Sequence, residues 1–383
     1  MALVDDLLET PKTSGQRRLL ALDGGGIRGL ITLGILEKLE ADLRQARKAG
    51  PGFRLADEFD FIGGTSTGAI LAAGLAIGLS VSELIAFYTA CGPVMFEKEW
   101  LLKRAWNKFK SDPLKEKLQQ VLGRDTVLGS DLIRTLLLVI MRNASTDSPW
   151  PVSNNPRAKY NSRSRDDCNL DLPLWQLLRA STAAPTYFPP EVVAIGQREF
   201  VFVDGGVTPY NVPAFLMYRM AVSPAYGLKW PAGEGRMLIV SIGTGSAPRP
   251  GPDATHPSRT FIEIGKSIAG ELMSGMAYDQ DINCRTVGRC VFGPALDREV
   301  GDLVEQELST PGRERQFTYV RYDPDLSPEG LSGLGLGDID SAAVVQLDSV
   351  EAIADLIRIG RTYAKQHVKA GAHLGGFWPG LEG

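Results

Sequence analysis

Ten residues constrain this chain more than any others: Phe59-Asp60-Phe61-Ile62-Gly63-Gly64-Thr65-Ser66-Thr67-Gly68. They read as a short apolar strand, a glycine turn, a serine, and then a run of small helix formers from Ala69 to Leu79. Gly64-Thr65-Ser66-Thr67-Gly68 fits G-x-S-x-G, the nucleophile elbow. A serine that attacks a carbonyl must stand clear of its neighbours on a sharp strand-to-helix turn. Such a turn forces strained backbone angles and close approach of neighbouring elements, and Gly64 and Gly68 permit both. The helix begins at the serine, so its free N–H groups and positive dipole end face any oxyanion formed there. By itself the pattern is weakly specific, because it arises by chance in many chains; the strand before it and the helix after it give it weight.

Phe61 to Ser82 carries no charge over 22 residues, enough on length alone for a membrane span. The glycine turn within it leaves only Ala69 to Leu79 for a helix, which suits a buried helix lying on a sheet. The whole chain has 383 residues, 44% hydrophobic and 22% charged, ample for a large core in one or two domains. A net charge of −4 gives no bulk signal for a nucleic-acid polymer as partner. Met1 to Thr13 lacks a basic-then-apolar leader pattern. Cys91, Cys168, Cys284 and Cys290 follow no repeating spacing and read as reduced thiols of a cytoplasmic protein. No histidine lies near Cys284 and Cys290, so no metal site is expected.

Taken in order, Arg17 to Leu22 is a strand that ends in Asp23-Gly24-Gly25-Gly26. Ile27 to Ala49 has helical spacing, with Ile31, Ile35, Leu39 and Leu43 on one face, stopped by Gly50-Pro51-Gly52. Asp57 to Ile62 is the second strand. Strand, glycine loop, helix, strand, glycine loop, helix implies a parallel sheet covered by helices. Ser80 to Leu122 is mostly helical. Within it, Glu97 to Lys110 interleaves Trp100, Trp106 and Phe109 with Lys98, Lys103, Arg104, Lys108 and Lys110. That mix suits a membrane interface, or equally a cap helix with its aromatics packed inward. Leu132 to Met141 is a buried strand, Asn143 to Asn169 a long polar loop, and Pro173 to Ala184 a helix. Phe200 to Val203 is a strand, Pro213 to Val222 a helix and Met237 to Ile242 a strand closed by Gly243-Thr244-Gly245. Pro248 to Pro257 is an exposed loop. Glu263 to Tyr278 and Ser349 to Ala372 are helices, and Phe317 to Tyr322 an edge strand.

Gly24-Gly25-Gly26-Ile27-Arg28-Gly29 also satisfies G-x-G-x-x-G, so a dinucleotide-binding oxidoreductase competes. The acid expected to close the second strand is missing, and that strand runs into the serine instead. The other role for the loop is an oxyanion hole, since consecutive glycine N–H groups form an anion-binding nest. Arg28 adds a cation beside it, or makes a surface salt bridge. Asp204-Gly205-Gly206 closes the strand at Phe200 to Val203, where parallel sheets place their chemistry; an ordinary Asp-Gly turn is the plainer alternative.

Asp23-Gly24-Gly25-Gly26-Ile27-Arg28-Gly29, Gly64-Thr65-Ser66-Thr67-Gly68 and Asp204-Gly205-Gly206, in this order, resemble the patatin-like phospholipase family. Arg179-Ala180-Ser181-Thr182-Ala183-Ala184-Pro185-Thr186-Tyr187-Phe188 resembles that family's segment before the acid. The likeness covers about residues 18–245. It implies a three-layer α/β/α fold with a mostly parallel sheet and helical cap insertions. Ser66 would be the nucleophile and Asp204 the base of a dyad. The N–H groups of Gly24, Gly25, Gly26 and Thr67 would form the oxyanion hole, and Arg28, Gly29, Gly64, Gly68, Gly205 and Gly206 would support the motifs. The implied reaction is acyl-ester hydrolysis of membrane phospholipids without cofactor or metal. The expected organisation is a tail over 1–16, a catalytic domain over 17–250 with a cap about 80–170, and a mostly helical extension over 251–383. Bacterial relatives with similar termini include phospholipases switched on by cyclic di- or trinucleotides in antiphage defence. That likeness implies such an activator, a homo-oligomer, and peripheral contact with the inner membrane.

A free aspartate, with a pKa near 3.9, is a weak base toward a serine hydroxyl, and histidine is the usual partner. His256, His367 and His373 all follow Asp204, so a Ser-Asp-His triad in an unregulated lipase stays open. A catalytically silent binding module fits poorly with a full set of hydrolase pieces.

Overall fold

The computed structural model describes the chain apart from residues 1–7, 13–14, 96–112, 186, 248–260, 298, 306–313 and 382–383. Among the described residues nine strands form one sheet: β1 (Arg17–Leu22), β2 (Phe61–Thr65), β3 (Leu136–Asn143), β4 (Ser148–Ser153), β5 (Glu191–Ile195), β6 (Arg198–Asp204), β7 (Met237–Ile242), β8 (Arg289–Phe292) and β9 (Thr318–Tyr322). Their order is β5-β6-β3-β2-β1-β7-β9-β8, with β4 paired to β3. The strands from β3 through β8 run parallel, while β4, β5 and β6 pair antiparallel.

Alternation along the strands splits the core in two. Leu20, Leu22, Ile62, Val139, Val240 and Val320 face one side. Leu19, Ala21, Phe61, Leu138, Ile239 and Tyr319 face the other. The first side is covered by helices α1 (Gly29–Ala46), α2 (Thr67–Ala76), α3 (Val81–Met95), α4 (Pro113–Leu122) and α5 (Leu174–Ser181). The second is covered by α6 (Ala214–Val222) and the end of α7 (Phe261–Val287). A further helix, α8 (Ile353–His367), lies against α1. Glycine permits that crossing, because a Cβ at Gly360 would overlap the Ile31 carbonyl oxygen. Three layers around a mostly parallel sheet is the architecture expected from the strand–loop–helix repeats. The uncharged stretch after Phe61 is β2 and α2, with α2 buried along its length. No helix of the described residues is long and apolar enough to cross a membrane.

The departures have physical causes. Part of the polar loop after Asn143 is β4, a short hairpin partner that carries two prolines and so breaks the usual strand signal. β5 lies in a sequence too short and mixed to stand out. β9 is interior, bonded to β7 on one side and β8 on the other, where an edge strand is expected. The residues after 250 therefore extend the central sheet as well as adding helices to it. The aromatic and basic segment 97–110 and His256 lie outside the described residues.

Candidate active site

The site is assembled at the C-terminal ends of the parallel strands. Leu22 of β1 pairs with Gly64 of β2, and Thr65 pairs with Ile140 of β3. β4 occupies the far edge of β3 over Leu138 to Asn143, so β6, paired to Met141 through Asn143, takes up the edge where β2 stops. Asp204 is opposite Met141, one step beyond the Thr65–Ile140 pair. That register alone sets the aspartate beside the residue after Thr65, which is Ser66.

Ser66 has φ 54° and ψ −124°, a conformation L residues rarely adopt, at a typical cost of about 1–3 kcal/mol. The surroundings enforce it. A Cβ on Gly64 would overlap the Gly68 carbonyl, and one on Gly68 would overlap the Leu22 carbonyl, so neither position accepts a side chain. Ser181, at the end of α5, donates to the Ile140 carbonyl at 2.6 Å and accepts the Ser66 N–H at 2.9 Å. Beneath the elbow, the Tyr88 hydroxyl lies 2.5 Å from Thr67 Oγ1.

Ser66 Oγ donates to Asp204 Oδ2 at 2.7 Å. The other carboxylate oxygen, Oδ1, accepts the Gly206 N–H at 2.6 Å. Burial pushes the Asp204 pKa up to about 6, held back by those two hydrogen bonds, since each favours the ionised form. A carboxylate poised there is a better base than a free one.

Across the cleft is the glycine loop. Its members are not equivalent. The Gly24 N–H already donates to the Asn211 carbonyl at 3.2 Å, so Gly24 is not the free donor expected. Among the described residues the N–H groups of Gly25 and Gly26 have no partner. Thr67 opens α2, where the first N–H groups have no acceptor within the helix. The Arg28 guanidinium lines the cleft, donating to the carbonyls of Gly245 at 3.1 Å and Gly25 at 3.5 Å. Gly29 begins α1 with no room for a Cβ beside Thr67 Oγ1, and Gly205 sits against the Ile140 carbonyl.

Ser66, Asp204, Thr67, Arg28 and the Gly24 to Gly26 loop line one cavity of ≈ 520 Å³, walled by Ile70, Met95, Leu114, Phe188, Met273 and Leu347. Neither His367 nor His373 lines it. His373 Nδ1 instead bonds the Tyr322 hydroxyl at 2.8 Å, with its ring stacked on Phe292. No group of metal-ligating side chains occurs among the described residues. Four positions had drawn no role from sequence reading: Ser181, Asn211, Thr244 and Leu347. Ser181 lies inside a family-like segment and Thr244 inside a Gly-Thr-Gly strand end, so both carried a faint signal. Leu347 acts through its backbone carbonyl, and Asn211 through its carbonyl and its side-chain amide, with no motif around either to mark it.

The fold and the site together define an α/β protein organised around a serine elbow. A family model described as patatin-like phospholipase matches residues 20–218, more than half of the chain, and the chain belongs to that family. It is 31% identical over 245 residues to Patatin-17 of Solanum cardiophyllum, covering 60% of each chain. It is 31% identical over 264 residues to Patatin-16 of Solanum tuberosum, covering 64% of each. The chain thus matches less than two thirds of the length of these relatives. Among solved structures it is similar to human GIVD cytosolic phospholipase A2, with 14% identity, 99% and 65% of the two chains covered, and a TM-score of 0.40.

Proposed function

We propose that the chain is a lipid acyl hydrolase that uses Ser66 and Asp204 without a histidine. The observation that carries the reading is the 2.7 Å hydrogen bond from Ser66 Oγ to a buried Asp204, at the floor of an apolar cleft. As Ser66 Oγ attacks an ester carbonyl, its proton passes to Asp204 Oδ2. The carbonyl oxygen becomes an oxyanion facing the N–H groups of Gly25, Gly26 and Thr67. Collapse of the tetrahedral intermediate breaks the ester C–O bond, and Asp204 returns the proton to the departing alcohol. Water then attacks acyl-Ser66, giving its proton to Asp204 and releasing the fatty acid, and the serine recovers its hydroxyl. Oxyanion donors fixed beforehand stabilise charge that develops only in the transition state, about 2.7–4 kcal/mol for each one.

The family and the apolar lining support a phospholipid or related lipid ester as substrate. The test is mass-spectrometric analysis of products released from total bacterial lipid, run beside Ser66→Ala. Fatty acid and lysolipid from the wild type alone support the reading, and equal products from both proteins overturn it. Activation by a cyclic di- or trinucleotide rests on the likeness of the termini to bacterial relatives. The same assay with a panel of those nucleotides tests it, and equal turnover in every tube removes it.

A further inference from the structure

An oxyanion donor works only if its peptide plane is held, and in this loop the holding groups lie on the far side of each plane. In a trans peptide the C=O of one residue and the N–H of the next point in opposite directions. Fixing the Gly24 carbonyl therefore fixes the Gly25 N–H. The Gly24 carbonyl accepts from Thr244 Oγ1 at 3.1 Å, and Asn211 Nδ2 stands 3.5 Å away. The Gly25 carbonyl accepts the Arg28 N–H at 3.2 Å, which turns the Gly26 N–H the other way in the same manner.

The position of Thr244 follows from the sheet. β1 and β7 are parallel, with Leu22 opposite Ile242. Gly24 and Thr244 each lie two residues further on, so the register that pairs the strands carries the hydroxyl to the carbonyl. Thr244 is 4% exposed, and a Cβ on Gly25 would overlap its hydroxyl, so loop and threonine are in close contact. Thr32 Oγ1 donates to the Gly243 carbonyl at 2.8 Å and steadies the turn that presents it. From further along the chain, the Leu347 carbonyl accepts the Ile27 N–H at 2.9 Å beneath Gly26, whose φ of +59° favours glycine. Thr244 and Leu347 both lie beyond the residues that the family model matches.

We propose that Thr244 is a positioning residue for the reaction: its hydroxyl holds the Gly24 carbonyl so that the Gly25 N–H stays aimed at the oxyanion. The inference rests on the hydrolase reading above. It is tested on the full chain with p-nitrophenyl butyrate, measuring kcat and KM for the wild type, Thr244→Val and Thr244→Ser. Inhibition by a trifluoromethyl ketone, which adds to the serine as a tetrahedral oxyanion, is measured in parallel. Misplaced donors should lower kcat of Thr244→Val roughly 10-fold or more, with KM changed less than about 2-fold. The ketone should weaken by a factor similar to the loss in kcat, because it reports the same charge. Thr244→Ser should keep kcat within about 3-fold of wild type, since the hydroxyl remains. If Thr244→Val does not fold by circular dichroism, Thr244→Ala takes its place under the same expectations. Wild-type kcat in the hydroxyl-free variant overturns the inference, as does an equal loss in Thr244→Ser. A wild type without turnover on the ester overturns the hydrolase reading itself, and the inference with it.

Discussion

At the scale of single residues, Asp204 is asked to do two conflicting things. In the proposed mechanism it must be buried against Ser66, and it must be ionised to accept a proton. Burial pushes its pKa up to about 6, so kcat/KM should climb with pH on a limb centred near 6 as the carboxyl ionises. A limb near 4, or none between pH 4 and 8, would contradict that. The same shift carries a stability consequence. A carboxyl whose pKa is higher folded than unfolded stabilises the fold below its unfolded value, near 3.9, and that contribution is lost as pH rises through about 6. Asp204→Asn, which is never ionised, should therefore be inactive yet more stable than wild type above pH 7, by roughly 3 kcal/mol. The gain should vanish toward pH 4. Thermal melts of both proteins at pH 4 and pH 8 check the sign; a variant less stable at pH 8 would refute it.

At the scale of elements, the serine turn was the most legible part of the chain. Gly64 and Gly68 declare a strand-to-helix elbow because a side chain at either would overlap backbone, and Ser66 stands between them in a strained conformation that its surroundings enforce. β1, β2, β3 and β7 were equally plain, since strands buried on both faces are continuous apolar runs, whereas the four-residue parallel strand β8 carries no such run and gave no signal. β4 and β5 were hidden for the converse reason: their alternating and proline-containing sequences resemble loops. The partners of the glycine loop were hidden for a different one. Leu347 contributes only a carbonyl, which every residue has, and Asn211 adds a side-chain amide to its carbonyl but stands in no motif. α8 carries a prediction of its own. Gly360 crosses α1 so closely that a methyl group there meets the Ile31 backbone. Gly360→Ala should cost about 1–3 kcal/mol, seen as a lower urea midpoint with an unchanged slope. An unaltered midpoint would mean that the helices separate without penalty.

At the scale of the whole molecule, the chain beyond residue 218 is tied into the site rather than appended to it. β9 flanks β7, and Arg321 on β9 forms a buried ion pair with Asp23 at 2.7 Å, immediately before the glycine loop. A chain ending at residue 250 would leave Asp23 buried without its partner, a loss of about 3–5 kcal/mol, and β7 with an open edge. Such a truncation should be recovered as aggregate; a monomeric, cooperatively melting product would show the first part to be independent.

In the proposed mechanism one serine and one aspartate suffice. Replacing His256, His367 and His373 together tests it most directly. Lipid-ester hydrolysis within about 3-fold of wild type, with Ser66 still labelled by a fluorophosphonate probe, is the predicted result. Loss of hydrolysis and of labelling, in a protein whose circular dichroism is unchanged, would show that a histidine is required.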